Sequence, residues 1–194
     1  RRVAELASAA PKRTSLELGG KSASVLLDDL SADELGAAVA GSLTGCLINS
    51  GQTCSATTRL LVPRDRLAEV EGLLEVFTQF APVGDPLSPD TQQGPLVSKV
   101  QQERVRSYIT AALDDGAKLV AGGPEQPETT PTGFFVKPTV LVAEAGSTIE
   151  QEEVFGPVLT VVPYDGGDDG ALAIANGTAY GLSGAVWASD KERA

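Results

Sequence analysis

The 194-residue chain is 42% apolar and 21% charged, an ordinary composition for a globular protein with enough apolar residues to bury a sizeable core. Its 26 acidic residues against 15 basic ones leave a formal net charge of −11, which makes nucleic acid and anionic membrane surfaces poor partners. Histidine is absent, which excludes Ser-His-Asp hydrolases, Cys-His proteases and histidine-based zinc sites and leaves acid–base work to carboxylates, Lys, Tyr or Cys.

In chain order, residues 1–10 (RRVAELASAA) read as the end of a helix closed by Pro11. Thr14 to Leu18 reads as a short strand stopped by Gly19 and Gly20, and Ser24 to Leu27 as a second one. Ser31 followed by Glu34 is a capping-box pattern that opens a helix. Leu35, Val39, Leu43 and Cys46 then recur at helical spacing, and Asn49-Ser50-Gly51 ends the run. Thr57 to Val62 reads as a strand. A helix from about Arg64 shows Leu67, Val70, Leu73, Leu74, Phe77 and Phe80 on one face. A Pro/Gly-rich loop (81–95) leads to a third helix, Val97 to Leu113, and a strand, Ala117 to Val120. After the polar loop Gly122 to Gly133, short strands are expected at Phe134 to Val136 and Thr139 to Val142, around Pro138. Val158 to Pro163 is a strong β run, Ala171 to Ala175 a short helix ended by Asn176-Gly177, and Ser183 to Trp187 the last strand. This alternation predicts an α/β domain with a largely parallel sheet. Both ends read as cut: the chain starts inside an uncapped helix and stops on residues (DKERA) suited to the first turn of another.

Two cysteines exclude a disulfide scaffold and favour a reducing compartment. No secretory signal opens the chain and no apolar run is long enough to span a bilayer, so a soluble cytoplasmic protein is expected. The two cysteines are not equivalent. Cys46 lies on an apolar helix stripe and reads as a small buried hydrophobe. Cys54 lies beyond the helix stop among small polar neighbours; from the residues alone it is either a reactive thiol or an ordinary loop cysteine. Glu17 sits in a segment otherwise suited to burial, as either an exposed strand residue or a buried carboxylate of raised pKa fit for general-base work.

Four segments bear on that choice. Leu16-Glu17-Leu18-Gly19-Gly20-Lys21 resembles the glutamate signature of the aldehyde dehydrogenase superfamily, and Asn49-Ser50-Gly51-Gln52-Thr53-Cys54 its cysteine signature. Glu152 to Val158 (EEVFGPV) is similar to its cofactor-ribose motif, and Asn176 to Leu182 (NGTAYGL) to a further segment near that domain's end. The motifs stand in the family's order, and the resemblance covers essentially the whole chain.

The resemblance implies a three-layer αβα catalytic domain, truncated at both ends. Residues 1–18 would be the tail of the dinucleotide-binding domain and 19–194 the catalytic domain, incomplete at its C-terminus. It implies Cys54 as nucleophile, forming a thiohemiacetal and then a thioester, and Glu17 as the base that activates the hydrolytic water. The Cys54 backbone N–H would be one oxyanion donor. NAD or NADP would be held by Glu153 and Phe155 at the nicotinamide ribose, by Leu18 and Gly19 beside the nicotinamide, and by Gln101. Ile48, Thr53 and Ser55 would line the aldehyde pocket. For Phe155, Ile48 and Leu18 simple core packing is the alternative, and Glu152 reads as a solvated surface residue. This chemistry needs neither histidine nor metal.

The resemblance further implies a small-molecule aldehyde as partner and a homo-oligomer, dimer or tetramer, at full length. The family's pyrophosphate loop, adenosine-ribose lysine and second oxyanion donor have no counterpart in the sequence, so the isolated chain is expected to be inactive. Two other readings are a CoA-acylating enzyme, against which the hydrolytic base Glu17 argues, and a non-catalytic binding or structural member, against which the Cys54 and Glu17 pair argues.

Overall fold

The computed structural model describes residues 1–10 and 12–194. The stop assigned to Pro11 therefore lies outside the described residues. Helix α1 (Arg2–Ser8) buries no residue, and residues 12–18 run irregular and exposed. The strand expected over Thr14 to Leu18 does not form: Leu16 and Leu18 are solvent-facing and the backbone joins no ladder. Burial begins at Gly19-Gly20, followed by β1 (Ala23–Leu26).

Helix α2 (Ala32–Leu47) starts on a complete capping box, with the Ser31 N–H donating to the Glu34 carboxylate at 2.9 Å and the Glu34 N–H to Ser31 Oγ at 3.4 Å. Then come β2 (Arg59–Pro63), α3 (Leu67–Thr78), α4 (Lys99–Asp114), β3 (Lys118–Ala121), β4 (Thr139–Val142), α5 (Thr148–Gln151), β5 (Val158–Tyr164), α6 (Gly167–Ala175) and β6 (Gly184–Trp187). Phe80 falls past the end of α3 and points to solvent rather than sharing its buried face. Phe134 to Val136 is not a strand; β4 begins only after Pro138, and Phe134 is exposed while Val136 is buried.

The six strands form one sheet in the order β3-β4-β5-β2-β1-β6. Every pairing is parallel except β3 with β4. Strands β1, β2 and β5 are buried along their whole length, as expected for parallel strands covered on both faces. Alternate residues go to opposite layers. Leu26, Leu60, Val62, Val140, Leu159 and Val161 meet Leu35, Val39, Leu43, Cys46, Val70 and Leu74 of α2 and α3. On the other face Leu141 and Val158 pack with Val105 and Ile109 of α4 and Ile149 of α5, and Val25, Leu61 and Val162 pack with Ala171 of α6. The result is the expected three-layer αβα arrangement.

Candidate active site

Three loops converge at the N-terminal ends of three adjacent strands, β5, β2 and β1. They are the segment 17–22 before β1, the segment 48–58 before β2 and the segment 152–157 before β5. Each predicted catalytic or cofactor residue except Gln101 lies on one of them.

The cysteine loop leaves α2 through three successive left-handed residues, Asn49 (φ 52°), Ser50 (φ 55°) and Gly51 (φ 72°). Such a path costs about 1–3 kcal/mol at a non-glycine position and persists only when the surroundings dictate it. Here they do. Ser50 Oγ donates to the Gly94 carbonyl at 3.1 Å, and Asn49 Nδ2 donates to the Gln52 carbonyl at 3.1 Å. Gln52 Oε1 accepts from the Val97 N–H at 2.9 Å. A Cβ at Gly51 would come within 2.6 Å of the Pro157 nitrogen, so the cysteine loop lies flat on the 156–157 backbone. Cys54, partly exposed with a free thiol, stands at the end of this path. Among the described residues no backbone carbonyl accepts from its N–H. Cys46 is fully buried, and burial pushes its thiol up to about 12, with the Lys21 ammonium opposing.

Glu17 is exposed, which removes the buried-carboxylate alternative in this chain. It stands three residues before Gly20, a span of at most about 10 Å of chain. Gly20 is buried directly against the Cys54 carbonyl, where a side chain would not fit. The Gly20 N–H donates to Glu153 Oε1 at 3.0 Å, and the bare face of Gly19 lies against the same carboxylate. The Glu17, Cys54 and Glu153 segments are thus tied together through Gly19-Gly20, a pair the sequence reading treated mainly as a strand stop.

Phe155 is left-handed (φ 59°), an outlier for a bulky residue. It is only partly buried, so it is not a closed core residue. Leu18 (66% exposed) and Ile48 (58%) are not core residues either. Thr53 Oγ1 donates to the Ile48 carbonyl at 3.4 Å, and the Ser55 carbonyl accepts from Ser183 Oγ at 2.7 Å, so the three proposed pocket residues stay on the rim of the Cys54 turn. Glu152 is exposed. Gln101 is on α4; its Nε2 donates to the Val154 and Phe155 carbonyls at 3.1 and 2.8 Å.

Two residues without an assigned role complete the surroundings. Lys21 is fully buried, and its ammonium has no hydrogen-bond partner among the described residues. Burial brings its pKa down to about 8, with Arg59 acting in the same direction and Cys46, Glu150 and Glu153 opposing. Arg104 Nη2 donates to the Glu153 carbonyl at 2.8 Å. A long polar residue beside an apolar helix stripe gives no sequence signal for such a contact. A cavity of about 590 Å3 opens between α6 and β6, lined by Lys21, Arg59, Leu172 and Leu182 but not by Cys54 or Glu17.

The arrangement offers an accessible thiol, a water-exposed carboxylate three residues before Gly20, a backbone N–H without a carbonyl partner among the described residues and a second carboxylate oriented by a glycine amide. These are parts for nucleophilic attack on a carbonyl followed by hydrolysis. The sequence profile of the aldehyde dehydrogenase family matches residues 1–194. A 3-succinoylsemialdehyde-pyridine dehydrogenase from a Pseudomonas species is 44% identical over 193 residues, 99% of this chain and 40% of that protein. Among solved structures, a variant of aldehyde dehydrogenase C from Pseudomonas syringae, in complex with NAD+ and octanal, has a TM-score of 0.92 at 42% identity, covering 98% of this chain and 39% of that one. The Mycobacterium tuberculosis aldehyde dehydrogenase complexed with NAD+ has a TM-score of 0.91 at 40% identity, covering 99% and 39%. The chain thus spans about 40% of the length of the curated relatives it matches. It belongs to the aldehyde dehydrogenase family.

Proposed function

We propose that the protein carrying this chain oxidises an aldehyde to a carboxylic acid with NAD+ or NADP+, using Cys54 as nucleophile and Glu17 as hydrolytic base. The observation that carries the reading is the packing of Gly20 between the Cys54 carbonyl and the Glu153 carboxylate. It brings the Cys54 turn, the Glu17 segment and the Glu153 carboxylate together, which supports reading that carboxylate as the acceptor for a ribose diol.

The residues fit a nicotinamide cofactor. The Gly20 amide occupies one oxygen of Glu153 and leaves Oε2 to accept from ribose hydroxyls. The missing side chain at Gly19 keeps that approach open. Leu18 and Phe155 offer apolar surface beside it. The Cys54 thiolate attacks the aldehyde carbon, and the free Cys54 N–H stabilises the oxyanion of the thiohemiacetal. Bound in this place, the nicotinamide supplies the acceptor for the hydride that leaves the thiohemiacetal carbon. Glu17, open to solvent, takes a proton from the water that attacks the resulting thioester, and the acid and the Cys54 thiol are released. Ile48, Thr53 and Ser55 flank the carbonyl being attacked. Residues 1–18, among which helix α1 buries no residue and 12–18 are exposed, are the margin of the cofactor domain, and 19–194 form the thiol-bearing domain.

The test uses the full-length protein with an aldehyde panel and each cofactor. Wild type is expected to reduce cofactor at steady state, and Cys54→Ala to abolish this. Glu17→Gln is expected to give a burst stoichiometric with sites and then turn over about 10²–10⁴-fold more slowly, with the thioester visible by mass spectrometry. Unchanged turnover in Cys54→Ala would sink the reading. Fast acyl transfer to added CoA, with no dependence on Glu17, would favour the acylating alternative.

A further inference from the structure

Helix α6 ends in a dipeptide with chemistry of its own. Of the chain's two asparagines, Asn176 alone is followed by glycine. An Asn-Gly pair can cyclise: the glycine nitrogen attacks the asparagine side-chain carbon, and no Cβ on the second residue hinders the approach. Asn176 and Gly177 are both exposed, so the side chain is free to swing and water is at hand. Asn49 differs on two counts: Ser50 follows it, and its Nδ2 is tied to the Gln52 carbonyl at 3.1 Å.

The fold holds the pair back. Asn176 closes the helix at φ −88° and ψ 0°, and its N–H donates to the Leu172 carbonyl at 3.0 Å. The Gly177 N–H, whose nitrogen is the attacking atom, donates to the Ile174 carbonyl at 3.0 Å. That carbonyl accepts a second bond, from Arg59 Nη1 at 2.9 Å, and the neighbouring Ala175 carbonyl accepts from Nη2 at 2.7 Å. Arg59 thus fixes the acceptor that ties up Gly177. Its own position is set by Glu150 at 2.6 Å, and its Nε donates at 2.8 Å to the carbonyl of Lys21, the residue after Gly20. The same guanidinium therefore touches both the turn that can cyclise and the glycine segment of the site.

We propose that Asn176-Gly177 is a self-modification site, restrained by Arg59 and felt at the active site through it. When the turn opens, the Gly177 nitrogen gives its proton to solvent base and bonds to Asn176 Cγ. The Cγ–Nδ2 bond breaks, and the nitrogen takes a proton from water and leaves as ammonia. Water then opens the resulting cyclic imide at either carbonyl, which yields aspartate or isoaspartate. The balance is one water in and one ammonia out, with no change of oxidation state. Isoaspartate lengthens the main chain by a methylene at 176, which moves the Ile174 and Ala175 carbonyls off Arg59 and loosens its hold on the Lys21 carbonyl. The modification stands on the turn alone; its effect on turnover rests on the function proposed above.

The test ages the full-length protein at pH 8 and follows three quantities. They are the amide-to-acid mass gain at each asparagine, with isoaspartate resolved by peptide chromatography; amide hydrogen exchange at Gly20, Lys21 and Gly177; and aldehyde-dependent cofactor reduction. Wild type is expected to react at Asn176 and not at Asn49, and about tenfold or more slower than the urea-unfolded chain, because the turn must first open. Turnover is expected to fall, and exchange at Gly20 and Lys21 to rise, in proportion to the isoaspartate formed. Glu150→Ala, which frees Arg59, is expected to speed both the modification and Gly177 exchange about tenfold, the worth of one hydrogen bond. Glu150→Gln, which keeps an acceptor for Arg59, should speed them less. Gly177→Ala places its Cβ 3.2 Å from the Ala173 and Ile174 carbonyl oxygens, a contact that a small shift relieves. That variant is expected to keep the initial turnover and not to age. If Asn176 stays intact in wild type and in both Glu150 variants after the unfolded chain has reacted fully, the site is overturned. Reaction as fast in the folded as in the unfolded chain would overturn the restraint by Arg59. Isoaspartate that leaves exchange at Gly20 and Lys21 unchanged would overturn the link to the active site. A wild type that reduces no cofactor, yet ages and loosens in this way, would instead remove the proposed function and leave the modification standing.

Discussion

Cys54 and Cys46 are eight positions apart in sequence and in opposite surroundings. Cys46 is sealed between α2 and the sheet, and a thiol with a pKa of about 12 is ionised to only about one part in ten thousand at pH 8. Cys54 is reachable from solvent at the end of a backbone fixed by Ser50, Asn49 and Gln52. Iodoacetamide at pH 8 is therefore expected to label Cys54 and leave Cys46 untouched until the chain is unfolded, as read by peptide mass spectrometry. Comparable labelling of Cys46 in the folded protein would contradict this burial. Lys21 makes a second prediction at this scale. Its ammonium is buried without a hydrogen-bond partner among the described residues, and burial lowers its pKa to about 8 from 10.5. A base whose folded pKa is depressed carries its full burial penalty below about pH 8. The penalty fades as pH rises toward 10.5, because the folded state gives up the proton first. At about 1.4 kcal/mol per pH unit the penalty is about 3 kcal/mol. Lys21→Met, which keeps the apolar stem, is expected to be more stable than wild type at pH 7 by up to that amount and to lose the advantage near pH 10. Urea denaturation at the two pH values checks it; a difference that does not vary with pH would mean that the ammonium finds a partner.

At the scale of elements, what could be read in the sequence was what is written locally. The capping box of α2 and the stripe Leu35, Val39, Leu43, Cys46 specify that helix without reference to anything distant, and all four stripe residues are buried. The apolar runs that became β1, β2 and β5 were legible because strands covered on both faces need apolar residues at every position. The misread segments had the right residues in the wrong place. Leu16 and Leu18 alternate like a strand but face solvent, and Phe134 to Val136 precedes a proline that cannot donate to a ladder. The four-residue helix α5 is too short to show a period. Strand order was not legible at all. It is the adjacency β5-β2-β1 that places three loops side by side and brings the Gly20 amide to a carboxylate 133 residues away. The motifs named Cys54, Glu17 and Glu153 as candidates. Only the sheet explains why Gly20 ties their segments together, and why Arg104, an unremarked helix residue, reaches the same loop.

For the whole molecule, a buried ion pair links the glycine pair of the site to the helices behind the sheet. Arg59, at the start of β2, is 1% exposed and Glu150 of α5 is 0% exposed; Arg59 Nη1 meets Glu150 Oε1 at 2.6 Å. The same guanidinium donates to the Lys21 carbonyl at 2.8 Å and to the carbonyls of Ile174 and Ala175 at 2.9 and 2.7 Å. Glu150 Oε2 accepts in turn from the Gly146 N–H at 3.0 Å. One side chain thus fastens the end of α6, helix α5 and the residue that follows Gly19-Gly20 to the central strand. A buried pair of this kind gains little over apolar packing, but removing one partner leaves an uncompensated charge and costs about 3–5 kcal/mol. Glu150→Ala is expected to lose about that much in urea denaturation. Glu150→Gln, which keeps an acceptor for Arg59, should lose less. The loss should also be felt at the site, since a loosened Lys21 carbonyl frees Gly20 from the Cys54 carbonyl and from Glu153. Hydrogen exchange at Gly20 and Lys21 should therefore rise in Glu150→Ala more than at β6, whose ladder with β1 does not pass through Arg59. A uniform rise across the sheet would show that the pair supports only global stability, and that the glycine pair is held by its own packing.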